Sequence, residues 1–90
     1  MSDLARLQNA ARYGRLILTA HAREEAGNAN VGADDIRCAI LSATSAVIQP
    51  KNQNQPKDRY LLTGGCAFDG IGLSVVVEEI QPGLLIVTVF

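Results

Sequence analysis

The chain holds one histidine, His21, and an imidazole is the side chain whose ordinary proton affinity suits acid–base work near neutral pH. His21 follows Thr19 and Ala20 where a short helix is expected to begin. A helix N-terminus disfavours the imidazolium and offers free N–H groups to an anion, so the implied chemistry is a neutral general base beside a phosphate or carboxylate. A surface histidine without catalytic duty accounts for the same residue. Lys57, Asp58, Arg59 and Tyr60 form the second concentration of polar groups. A guanidinium can clamp a phosphate with its planar fork, and a phenol can donate a proton. Strand alternation sends Arg59 and Tyr60 to opposite faces, and an Asp58–Arg59 edge pair beside a half-buried tyrosine is the plainer explanation.

Other chemistry-bearing residues are less well placed. Gly64, Gly65, Gly70 and Gly72 make a glycine-dense stretch, but it precedes a strand and lacks the Lys-Ser/Thr terminator of a phosphate loop. A bulged hairpin connection is the better reading. Cys38 and Cys66 are too far apart in sequence to form a framework or a zinc site alone, and both are expected as small core residues, Cys38 on the inner face of a helix. The adjacent carboxylates Glu24–Glu25, Asp34–Asp35 and Glu78–Glu79 diverge on either a helix or a strand, so no metal site is expected, and no cofactor.

The elements that must position these residues follow from apolar spacing. Leu4, Leu7 and Ala11 predict a helix over 3–13, stopped by Gly14. A short strand over 15–18 leads to Thr19, which caps a helix over 20–26 ended by Gly27 and Asn28. Gly32 as N-cap, Asp35 three residues later and the apolar pair Val31 and Ile36 open a further helix running to about Ala43. A strand over 46–49 ends at Pro50, and the polar stretch 50–57 reads as an exposed loop. Strands are then expected over 59–63, 71–80 and 84–90, the last so apolar that it reads as central and covered on both faces. Helices followed by a meander give an α+β domain, with helices on one face of an antiparallel sheet of four or five strands.

Ninety residues allow a single domain, 48% hydrophobic and 19% charged, which is far from disordered composition. The longest apolar run, 84–90, is too short to cross a bilayer, so no membrane partner and a cytoplasmic location are expected. The net charge of −1 argues against an obligate, strongly basic nucleic-acid binder. Bases nevertheless collect in 1–23 and 36–59, so a locally basic face is compatible with the total.

Four strings carry a likeness: Ile17-Leu18-Thr19-Ala20-His21-Ala22, Val31 to Ile36 opening a helix, Asp58-Arg59-Tyr60, and Ile86-Val87-Thr88-Val89. Over residues 15–90 the chain resembles a bacterial domain family related to the RelE and BrnT toxins, with residues 1–14 as an added helix. The resemblance implies the small α+β toxin fold of endoribonucleases encoded beside an antitoxin that occludes them. It carries over His21, Arg59 and Tyr60 as catalytic and Thr88 as a substrate-binding residue of the last strand, with Lys57 beside them. It also requires His21, Arg59 and Tyr60 to line one concave surface. One departure is visible: Glu25 stands where the family has an arginine, and Arg23 lies two residues earlier.

Two readings follow. As a metal-independent ribonuclease, the chain would use His21 as base, Arg23 and Arg59 as phosphate clamp and Tyr60 as acid or stacking surface on an RNA substrate. As an interaction domain that has kept the toxin fold, it would bind a protein partner or form a homodimer through exposed strand edges. Glu25 and the low charge favour the second.

Overall fold

A computed structural model describes residues 2–50 and 57–90. The elements run α1 (Asp3–Tyr13), β1 (Arg15–Leu18), α2 (Ala20–Ala29), α3 (Ala33–Ser42), β2 (Ser45–Gln49), β3 (Arg59–Thr63), β4 (Val75–Ile80) and β5 (Gly83–Val89). The strands form one sheet in the order β1-β5-β4-β3-β2. Three helices pack against this sheet, so the domain is α+β.

Each helix starts on a local signal. Ser2 Oγ accepts from Ala5 N–H at 3.1 Å to open α1, and Thr19 Oγ1 accepts from Ala22 N–H at 3.0 Å to open α2. Gly32 has no side chain to cap α3, and there Asp35 Oδ2 reaches back to accept the Gly32 N–H at 3.1 Å. The end of α2 lies beyond the expected stop. Gly27 and Asn28 are helical, and the turn closes at Asn30 with φ 57°, a left-handed conformation that asparagine tolerates.

The sheet is mixed where an antiparallel meander was expected. β2, β3, β4 and β5 pair antiparallel in sequence order, but β1 lies parallel to β5, with Arg15 opposite Gly83 and Leu18 opposite Ile86. The crossover from β1 must therefore pass through α2, α3 and the other strands before β5 returns beside it. Two glycines permit this docking. Gly83 has φ 124° and its backbone lies against that of Arg15, so that a Cβ would strike the Arg15 carbonyl oxygen; Gly14 faces the Gly83 Cα in the same way. β4 is also shorter than expected: residues 71–74 form a loop with an isolated bridge between Cys66 and Gly72.

One face of the sheet is the core. Leu62, Val75, Val77, Leu84 and Ile86 join Leu7 and Ala11 of α1, Ala22 and Ala26 of α2, and Ile36 and Ile40 of α3. α1 also ties the end of α3, because Gln8 Nε2 donates within 3.2 Å to the carbonyls of Ile40, Leu41 and Ala43, at the helix end where carbonyls run out of intrahelical donors. The opposite face carries no helix among the described residues. Across it run Val47, Leu61, Val76 and Thr88 in one row, and Gln49, Arg59, Glu78, Leu85 and Ile17 in the next. β5 thus lies inside the sheet but is helix-covered on one face, which corrects the expectation of cover on both.

Cys38 and Cys66 are only half-buried, not core residues. Cys38 falls on the stripe of α3 that looks away from the sheet, with Asp34, Leu41 and Ser42, because Ile36, Ala39 and Ile40 take the inner stripe. Among the described residues no helix is long and apolar enough to cross a membrane. The polar loop expected over 50–57 lies largely outside the described residues.

Candidate functional site

The start of α2 gathers several polar groups against the end of β5. Past Leu18 the chain leaves the sheet, and the β1 side of β5 beyond Ile86 loses its neighbouring strand. The residues that follow replace it. Thr19 N–H donates to the Ile86 carbonyl at 3.0 Å, Thr19 Oγ1 donates to the Val87 carbonyl at 3.3 Å, and Val89 N–H donates to Glu25 Oε1 at 3.1 Å. Each contact satisfies a backbone group that the ladder no longer reaches.

His21 stands one turn before Glu25 on the same face, with Nε2 3.3 Å from Glu25 Oε1, and its side chain is 67% exposed. A carboxylate in that place can orient an imidazole. Arg23 points elsewhere, its Nε donating to the Leu18 carbonyl at 3.4 Å.

The two β3 candidates are separated by the sheet. Arg59 lies on the face without helices, where its Nε donates to Glu78 Oε1 at 3.0 Å. Glu78 is buried there, so the guanidinium is committed to neutralising it. Tyr60 faces the helices and is buried, its hydroxyl accepting from Arg6 Nη2 at 3.0 Å, with the Arg6 guanidinium carbon 5.5 Å from the ring centroid. Arg6 also donates through Nη1 to Asp3 and through Nε to Glu79 at 2.8 Å. These hydrogen bonds, Asp3 first and Glu79 next, raise the Arg6 pKa above its ordinary value.

His21, Arg59 and Tyr60 therefore do not line one surface. Arg59 and Tyr60 occupy opposite faces, as strand alternation requires, and His21 is on α2, which packs mainly on β5 and β1 at the other side of the sheet from β3. Lys57 Nζ donates to the Glu79 carbonyl at 3.4 Å, on the β4 side of the Tyr60 neighbourhood. Thr88 is on the helix-free face, opposite Val76, and two strands from Arg59's own.

Arg6 and Gln8, which the sequence reading passed over, and Glu25, which it marked only as a departure, each satisfy groups on a distant element. Glu25 carried the one signal, as a carboxylate where an arginine was expected. Arg6 and Gln8 carried none, since exposed polar residues on an amphipathic helix look alike until their partners are placed.

The surface has an open apolar depression of about 320 Å³ between α3 and the 64–74 loop, lined by Arg37, Cys38, Leu41 and Phe68 among others. Arg37 and Ser42 there are spent on structure. Arg37 donates to the Ala11 carbonyl, and Ser42 Oγ donates to Cys38 O at 2.7 Å while accepting from Cys66 N–H at 3.0 Å. Among the described residues no three metal-ligating side chains come together. Comparison of the chain with protein-family models, with curated proteins and with solved structures found no match.

Proposed function

We propose that this chain is a protein-interaction domain related in fold to the RelE and BrnT toxins and lacking their nuclease chemistry. The observation that carries the reading is the separation of Arg59 from Tyr60 by the thickness of the sheet, with the guanidinium held by Glu78 and the phenol by Arg6. A phosphate clamp needs a cation whose charge is available, and a general acid needs a hydroxyl open to the leaving oxygen. Both groups are occupied. Glu25 supports the same conclusion, since at the position where the resemblance predicts a phosphate-binding arginine it holds the last strand instead.

The helix-free face offers a partner apolar side chains. The helix-free face presents Val47 and Ile17, both exposed, beside Leu61 and Leu85. An antitoxin-like protein is the partner that the resemblance suggests, and a second copy of the chain is the partner that an exposed strand edge suggests.

A ribonuclease is the second reading, and His21 favours it: an exposed imidazole beside a carboxylate, on the same helix as Arg23. Incubation of total RNA with the purified protein and with His21→Ala, each with and without chelator, separates the two. The interaction reading expects no cleavage by either protein. Chelator-resistant cleavage that falls by about 10²–10⁴-fold in His21→Ala overturns it in favour of the nuclease.

A further inference from the structure

The two edges of the sheet differ. β1 is four residues long and carries Arg15, and the chain turns away at both its ends into helices. β2 is Ser45-Ala46-Val47-Ile48-Gln49, with no charge, no proline and no bulge in its pairing with β3. These are the devices by which an edge strand normally avoids pairing. Among the described residues nothing pairs the outer side of β2. Val47 and Ile48, which point to opposite faces, are 54% and 51% exposed.

From this edge we infer that the partner is a second copy of the chain, joined β2 to β2 antiparallel about a twofold axis through Val47, making one continuous ten-stranded sheet. The inference rests on the interaction reading above and names its partner.

The register follows from the strand itself. Overlap of all five residues places Val47 opposite its own copy, Ser45 opposite Gln49, and Ala46 opposite Ile48. On the helix-free face this extends the row Val76, Leu61, Val47 into the partner's Val47, Leu61 and Val76, an unbroken apolar stripe. The flanking rows meet as Gln49 against Ser45, two uncharged polar side chains able to hydrogen-bond. On the helical face the large exposed Ile48 falls beside the small Ala46 of the other copy, so neither crowds the other. A slide by two residues sets Val47 against Ser45 or Gln49 and leaves two residues of each strand unpaired. No register with full overlap opposes like charges, because the strand has none.

The test is sedimentation equilibrium of the full chain across the micromolar range, with Val47→Lys and Val47→Glu made separately. Val47 is an exposed edge residue, so each variant is expected to keep the wild-type circular dichroism. The wild type should sediment at twice the 9.6 kDa chain mass. Each variant alone should sediment at 9.6 kDa, since like charges then face each other at the axis. An equimolar mixture of the two variants should return to the doubled mass, because opposite charges now meet there. A monomeric wild type overturns the proposal, and so does a dimer that survives both substitutions. A mixture that stays monomeric overturns the Val47 register. None of these outcomes depends on RNA cleavage, so failure here is distinct from failure of the interaction reading.

Discussion

Glu25 Oε1 accepts the backbone N–H of Val89 at 3.1 Å, joining α2 to the last residue of β5. The bond spans 64 residues of chain and does what β1 does for the earlier part of β5. It also explains why an acidic residue stands in a helix turn where the family resemblance leads one to expect arginine.

Glu25→Ala is expected to lower stability by about 1–3 kcal/mol, the cost of leaving a partly buried N–H without its acceptor. Glu25→Gln keeps an acceptor and should lose less. Glu25→Arg should lose as much as alanine does, without gaining ribonuclease activity. Urea denaturation of the three variants checks the order; a stable Glu25→Ala would show that the bond contributes nothing.

Two glycine replacements should have opposite signs. Gly83→Ala must place a Cβ against the Arg15 backbone at φ 124°, so a loss of about 3 kcal/mol or more is expected, or failure of β1 to dock. Gly27→Ala adds its Cβ to open space inside α2 and should stabilise by about 0.5–1 kcal/mol. Thermal unfolding of the pair measures both.

Tyr60→Phe removes the acceptor of one Arg6 hydrogen bond and leaves the ring in the core. A loss of about 1 kcal/mol is expected, and a double-mutant cycle with Arg6→Ala should give a coupling of about 0.5–1.5 kcal/mol. Independent effects of the two substitutions would mean that the contact is not formed in solution.

Cys38 lines the open depression beside Phe68, so a thiol reagent should label it in the native protein without prior unfolding. Cys38→Ser should change stability by less than about 0.5 kcal/mol, as befits a position on the outer stripe of α3. Labelling that appears only after denaturation would return Cys38 to the core.

Several elements were legible in the chain. The boundaries of α1 and β1, the caps Thr19 and Gly32–Asp35, and the inward set Leu7, Ala11, Ile36 and Ile40 all follow from short-range spacing, because a helix or strand sets which side chains share a face within a few residues. The alternation that places Arg59 and Tyr60 on opposite faces is of the same kind. It decided against the shared surface that the family resemblance required.

The tertiary structure alone decided what lies between elements. That β1 is parallel to β5 depends on Gly14 and Gly83 meeting across nearly 70 residues, and a glycine in sequence does not say whether it serves a turn or a close approach. The fates of Arg6, Gln8, Glu25 and Arg59 depend on partners between 19 and 73 residues away. A polar side chain has the same sequence signature whether it is solvated, paired or capping a strand. Only the fold, by burying Glu78 and leaving the end of β5 without a strand on its β1 side, determines which of these each one becomes.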